Sequence, residues 1–257
     1  MKILIDAGHY KNYNQSKVFT KYYEGNAMFY LQFLLKDELE KYGFTVKLTR
    51  TTNVDLSLAE RGKMAKGYDL FLSLHTNACD DESVDRVVVI KGYDTTGKLG
   101  EEIADSLTKL MGTKKQQVLK KTNANGTDYY GVLRNAKLVG CNQRFIVEHS
   151  FHTNKKMAMW LYEEANLKKI AKSTADTIAK HFGKTNYQQP FLIRVKEDVN
   201  YRWKADFSKD EYVKGVAKKG EVFTVVERVK SNCSTDMYRL KSGYYITTAS
   251  KYVEVYK

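Results

Sequence analysis

Strand-length and helix-length patterns alternate along residues 1–183 and then cease to alternate, and that break limits the possible folds more than any other feature. Ile3–Ile5 is a short apolar run with the length of a strand. Between residues 27 and 42, Met28, Leu31, Leu34, Leu35, Leu39 and Tyr42 recur at helical spacing, and Gly43 is a natural terminator. Thr45–Leu48 reads as a second strand, and Ser57-Leu58-Ala59-Glu60 is a capping box opening a short helix that runs to about Lys66. Asp69–Leu74, Arg86–Ile90 and Arg144–Val147 read as strands. Leu99, Ile103, Leu107 and Leu110 mark one helix face ended by Gly112, and Lys155 to Phe182 is largely helical, with Gly183 closing it. Strands separated by helix-length segments imply βαβ units, and so an α/β fold with a mainly parallel twisted sheet flanked by helices.

After Gly183 the helical period is lost. Residues 184–190 have the polarity of a linker and include the single proline, Pro190. Strand-like runs at Phe191–Val195, Val222–Val229, Tyr244–Thr247 and Tyr252–Tyr256 then alternate with glycine or polar turns, the pattern of a small antiparallel barrel over residues 191–257. The expected organisation is a catalytic-size domain at 1–183, a linker at 184–190 and a small all-β domain at 191–257.

No stretch approaches the roughly 18 apolar residues of a membrane span. The N-terminus enters the first strand without a charged leader, apolar stretch or cleavage site, which predicts no signal peptide and a start in the cytoplasm. Cys79, Cys141 and Cys233 are odd in number and far apart, which argues against both a disulfide framework and a thiolate zinc site. The net charge of +13 predicts attraction to polyanions; the region from Pro190 onward carries 14 Lys and Arg against 9 Asp and Glu, so the excess is shared between the two parts. No helix-turn-helix, RNP or zinc-finger pattern is present, so nucleic acid is not an expected partner.

In a parallel sheet, ligands collect beyond the carboxyl ends of the strands. Asp6-Ala7-Gly8-His9 leaves the first strand, His75-Thr76-Asn77 leaves the third, and Glu148-His149-Ser150 leaves the last, while Glu24 precedes the first long helix and can reach the same rim. Each has a structural reading when taken singly: a hydrogen-bonded histidine, a helix N-terminal acid, a buried ion-pair partner. Together, two imidazoles and a carboxylate with an open position make a catalytic zinc set, and a further carboxylate supplies a base. The chemistry so implied is metal-assisted hydrolysis of an amide, with an ester as the alternative.

The ordered segments Ile5-Asp6-Ala7-Gly8-His9, Glu24, Thr49-Arg50 with Leu58 and Arg61, and Asp69-Leu70-Phe71-Leu72-Ser73-Leu74-His75-Thr76-Asn77-Ala78 resemble zinc N-acetylmuramoyl-L-alanine amidases of the Amidase_3 type, found in autolysins and phage endolysins. Val132-Leu133-Arg134-Asn135 and the stretch from Val147 to Asn154 are similar to that family's final motifs. The resemblance implies one Zn2+ per chain on His9, Glu24 and His75, with Glu148 as catalytic carboxylate. It also implies cleavage of the amide joining N-acetylmuramic acid to L-alanine of the peptidoglycan stem. Two segments depart from the family pattern: Tyr10-Lys11-Asn12-Tyr13-Asn14 replaces a Gly- and Asp-bearing loop, and Gly140-Cys141-Asn142-Gln143 lacks the customary proline.

Arg134 and Asn77 are candidate substrate contacts, Arg134 with a bracing role as its alternative, and His149 and His152 are either oxyanion stabilisers or structural. The tail resembles a bacterial SH3-like wall-binding domain, which makes Tyr201, Trp203, Tyr244 and Tyr245 candidate wall contacts as well as candidate core residues. The expected protein is a monomeric murein hydrolase of the endolysin kind, held in the host cytoplasm until lysis and then acting on peptidoglycan and anionic wall polymer. A host autolysin, a sporulation amidase and an inactive wall-binding protein are the alternatives.

Overall fold

In the computed structural model, which describes residues 1–184 and 190–256, the expected elements of the first part form in the expected order. They are β1 (Lys2–Ala7), α1 (Glu24–Glu40), β2 (Thr45–Leu48), α2 (Leu58–Lys63), β3 (Leu70–Asn77), β4 (Arg86–Lys91), α3 (Lys98–Met111), β5 (Lys115–Leu119), α4 (Gly131–Leu138), β6 (Gln143–Phe151), α5 (Lys155–Tyr162) and α6 (Glu164–His181). The Ser57 capping box is made in full: Ser57 Oγ accepts from Glu60 N at 3.2 Å, and Glu60 Oε2 accepts from Ser57 N at 2.8 Å. Gly112 ends α3 at φ 64°, a left-handed conformation that a Cβ would strain.

The six strands make one sheet in the order β2-β1-β3-β6-β4-β5. Neighbours are parallel except β4 and β6, which pair antiparallel. Residues on alternate sides of the strands feed two cores. Ile3, Ile5, Leu70, Leu72, Leu74, Phe145 and Val147 pack with α1, α3, α5 and α6, while Leu4, Phe71, Ile146 and Phe151 pack with α4 and Ala65. With helices on both faces, the central strands are buried along most of their length, which is why they read as continuous apolar runs.

The first unit also departs from expectation in places. β5 and α4 were not expected, and the helical stretch from Lys155 is two helices broken at Glu163, whose ψ of 118° is extended. β3 and β6 continue beyond Leu74 and Val147, so His75 and Glu148 lie inside strands and not on the loops after them. The expected linker at 184–190 falls almost wholly outside the described residues; the division into compact units lies between Lys184 and Thr185.

The second unit is all-antiparallel: β7 (Phe191–Val195), β8 (Val199–Arg202), β9 (Val213–Ala217), β10 (Val222–Val229), β11 (Met237–Leu240), β12 (Tyr245–Thr247) and β13 (Val253–Tyr256). The sheet order is β13-β7-β10-β11-β12-β8-β9, around a core of Ile193, Val195, Ala217, Val225, Tyr238, Leu240, Ile246 and Val253. β11 was not among the expected strands, because a short strand of mixed polarity carries little periodic signal.

A buried guanidinium anchors the start of β6. Arg144 is fully buried and donates through Nε and Nη2 to Oδ2 of Asp128, at 3.0 and 2.8 Å, and through Nη2 to Asp94. Asp128 in turn accepts from Tyr93 N at 2.7 Å, so this pair ties the loop before α4 to the sheet. Arg144→Met strands the buried Asp128 carboxylate, and we expect it to lower stability by about 3–5 kcal/mol. Urea unfolding of the full chain, followed by far-ultraviolet circular dichroism of the helices, measures this directly.

Candidate active site

β3 and β6 are paired in parallel with His75 directly beside Glu148. β1 lies on the other side of β3, and its ladder continues through Gly8 N, which donates to Leu74 O at 2.8 Å. A side chain at residue 8 has no room: a Cβ there would stand 2.6 Å from Nε2 of His75 and closer still to Cε1. Gly8 thus lets the His75 ring lie across the end of β1. The next residue, His9, adopts φ 57°, and Arg50 holds it there by donating from Nη2 to its carbonyl at 2.7 Å. The two imidazoles meet edge to face, with centroids 5.1 Å apart.

Glu24 enters from the first turn of α1 and is fully buried. Its Oε1 accepts from Thr76 N at 3.0 Å and lies 3.0 Å from His75 Nδ1 and 3.5 Å from His9 Nε2; its Oε2 accepts from Asn14 Nδ2 at 2.8 Å. Burial alone would raise the Glu24 pKa, but His75, His9 and Asn14 overcome it and pull the carboxyl down to about 2. His75 shows the mirror image: burial works to lower it, yet Glu24 and the nearby Glu148 and Asp6 carboxylates raise it to about 8. Burial lowers His9 despite Glu24. Glu148 is pushed up to about 7, mainly by burial, with Glu24 adding and His75 opposing. Its Oε2 is out of contact with solvent and has no hydrogen-bond partner among the described residues.

The donor set fits a metal ion. One ligand atom each from His9, Glu24 and His75 lies within 4.8 Å of the others. Ligands about 2.0–2.2 Å from a common zinc stand about 3.3 Å apart, close to the separations found here. Two imidazoles and one carboxylate are the ligand types zinc takes.

The other expected residues divide. Arg134 donates from Nη1 to the carbonyls of Asp128 and Tyr129, at 2.8 and 3.0 Å, and so braces the loop before α4. Asn77 turns its Oδ1 onto its neighbour's amide, Ala78 N, at 2.8 Å. His149 Nδ1 lies 3.0 Å from the His75 carbonyl, and burial lowers its pKa to about 4. His152 lies 3.0 Å from Thr76 Oγ1 and 4.0 Å from Glu24 Oε2, behind the cluster. In the second unit Tyr201 and Tyr244 are half-buried against each other, Tyr245 is half-buried in β12, and Trp203 is 53% exposed beside Tyr212. Sequence reasoning missed Asn14, which touches both His9 and Glu24 from the loop that departs from the family pattern. An isolated asparagine in a polar loop carries no signal of that contact.

An α/β sheet with a His-Glu-His cluster at its strand ends and a buried carboxylate alongside has the make-up of a hydrolase catalytic domain able to hold a metal ion. Residues 3–180 match the N-acetylmuramoyl-L-alanine amidase family, Amidase_3, and the chain belongs to that family. It is 31% identical over 238 residues to an endolysin of Bacillus phage SPP1, covering 84% of this chain and 83% of that protein. Among solved structures it is similar to Cwp6 from Clostridium difficile, with 24% identity and a TM-score of 0.61 over 70% of this chain and 29% of that one. It is also similar to the catalytic domain of CwlV, an N-acetylmuramoyl-L-alanine amidase from Bacillus (Paenibacillus) polymyxa var. colistinus, with 18% identity and a TM-score of 0.61 over 72% and 99% of the two chains. At these identities the two structures show the shared fold. Residues 186–253 match a domain of unknown function, DUF5776.

The absent side chain at residue 8 is a requirement of the site. Gly8→Ala drives a methyl group into the His75 ring, and we expect the variant to fold but to bind an added divalent metal ion less tightly than the native chain, as a metal titration would read.

Proposed function

We propose that this chain is a zinc-dependent peptidoglycan hydrolase that cleaves the amide between N-acetylmuramic acid and L-alanine, and that it serves as a phage endolysin. The observation that carries the reading is the convergence of His9, Glu24 and His75 beside Glu148 in a chain of the amidase family. The endolysin relative, aligned across most of both chains, supports the lytic role. No helix among the described residues is long and apolar enough to cross a membrane, in keeping with a protein stored in the host cytoplasm and released to the wall at lysis.

A zinc ion held by His9, Glu24 and His75 would supply a Lewis acid that polarises the scissile carbonyl and acidifies water. Glu148 accepts the proton from the attacking water and returns it to the leaving nitrogen. The C–N bond breaks, the lactyl carbonyl gains a hydroxyl, and L-alanine leaves as a free amine. Glu148 suits this part because its Oε2 has no competing donor and sits in surroundings that disfavour a fixed charge. Asn14 and Thr76 N hold the Glu24 carboxylate in place, and Arg50 holds the backbone of His9. Arg134 and Asn77 are proposed as substrate contacts.

The second unit is proposed to be an SH3-like wall-binding module, with Tyr201, Trp203, Tyr244 and Tyr245 as contact residues. Its excess of basic side chains favours anionic wall polymer, and joining it to the catalytic unit raises the local concentration of active sites at an insoluble substrate. The protein is proposed to act as a monomer.

Mass spectrometry of digested peptidoglycan tests the bond cleaved: stem peptides with free L-alanine amino ends and intact glycan strands are expected, and muramyl peptides with cut cross-links would refute it. Glu148→Ala should keep its zinc and lose activity by at least about a hundredfold. Retention of native turnover would remove Glu148 from the mechanism. Binding to purified walls should weaken as salt rises, because screening shortens the attraction to polyanions; sedimentation with walls across a salt series reads this.

A further inference from the structure

Asp6, Thr49 and Arg61 belong to the ordered motifs, yet none of them touches the proposed ligand atoms. The Asp6 carboxylate is fully buried at the centre of the sheet and is surrounded by donors. Thr49 Oγ1 donates to its Oδ1 at 2.8 Å, Ser73 Oγ donates to its Oδ2 at 2.7 Å, and Arg61 Nη1 stands 3.6 Å from Oδ2. The same Ser73 Oγ lies 3.1 Å from Nε2 of His75.

The direction of these bonds follows from proton counting. A carboxylate only accepts, and a serine hydroxyl has one proton. Ser73 spends that proton on Asp6, so toward His75 it can only accept, and Nε2 must carry the hydrogen. The lone pair of the neutral ring is then on Nδ1, the atom 3.0 Å from Glu24 Oε1. Two lone-pair atoms at that separation are held together by a cation between them, either a proton or a metal ion.

We propose that Asp6, acting through Ser73, is a positioning device that locks His75 in the tautomer presenting Nδ1 to the metal. This rests on the reading of His75 as a zinc ligand. Thr49 donates to Asp6 and Arg61 stands beside it, so residues on β1, β3 and α2 and on the turn after β2 meet at one buried point. Partners that orient a metal-binding imidazole through its other nitrogen are worth about 10–100-fold in metal affinity.

Two measurements on the full chain test the device. Zinc affinity, by competition with a chromophoric chelator, is compared for the native chain, Ser73→Ala and His75→Ala. Ser73→Ala should bind zinc about 10–100-fold more weakly, with His75→Ala weaker still. Native affinity in Ser73→Ala beside a large loss in His75→Ala would overturn the relay alone, whereas native affinity in His75→Ala would overturn the zinc-site reading beneath it. Nitrogen-15 correlation spectra of the zinc-loaded native chain should show a proton on Nε2 of His75 that exchanges slowly and is lost to rapid exchange in Ser73→Ala. A His75 with its proton on Nδ1, or an Nε2 proton indifferent to Ser73, would refute the proposal whatever the stability of the variant.

Discussion

A carboxylate with no exposure to solvent, Glu24, is the constraint around which the catalytic unit is arranged. Burying an ion without partners costs several kcal/mol, so a chain that buries one must surround it with donors and positive charge. Here the partners come from two stretches far apart in sequence: His9 and Asn14 between β1 and α1, and His75 and Thr76 N on β3. The sheet supplies two of them by pairing β1 and β3, and the loop before α1 supplies Asn14. What satisfies Glu24 is also what gathers two imidazoles around one point, so the requirement for stability and the geometry of the site are the same arrangement.

Backbone strain accumulates at the same place. His9, Lys11 and Asn14 all have positive φ, as does Ser150 two residues beyond Glu148. Outside glycine such conformations cost on the order of 1–3 kcal/mol each and persist where surrounding contacts over-determine them. Arg50 supplies such a contact at His9, and the shift in β3–β6 register after His75 places Ser150 at an irregularity that ends the regular ladder just beyond the carboxylate. At the opposite end of β6, Arg144 and Asp128 form another buried ion pair, so this strand is pinned by charge near its start and carries the buried Glu148 carboxylate toward its end.

Most of the first unit was legible because its strands are covered on both faces and its helices carry one apolar stripe. The elements that escaped notice have physical reasons. β5 opens Lys115-Gln116-Gln117 and pairs only with β4, and an edge strand tolerates polar residues that a central strand does not. α4 begins at Gly131 and has eight residues, too few to show a period. The break at Glu163 has no glycine or proline to announce it. The candidate ligands were visible because chemistry confines them to a few residue types at strand ends, while Asn14 and Ser73 are small polar residues whose type gives no sign of a partner and Thr76 reaches Glu24 through its backbone N–H.

The amino-acid sequence by itself determined the α/β class, the change of architecture after Gly183, the amidase resemblance, and the four side chains His9, Glu24, His75 and Glu148 as the chemically notable set. Tertiary structure decided which atoms of those side chains face one another, and with them the polarity of the chain from Asp6 through Ser73 to His75. Residue type reports what a group can donate or accept. Only strand register and close packing decide which partner lies within about 3 Å, the range over which hydrogen bonds and metal ligands act.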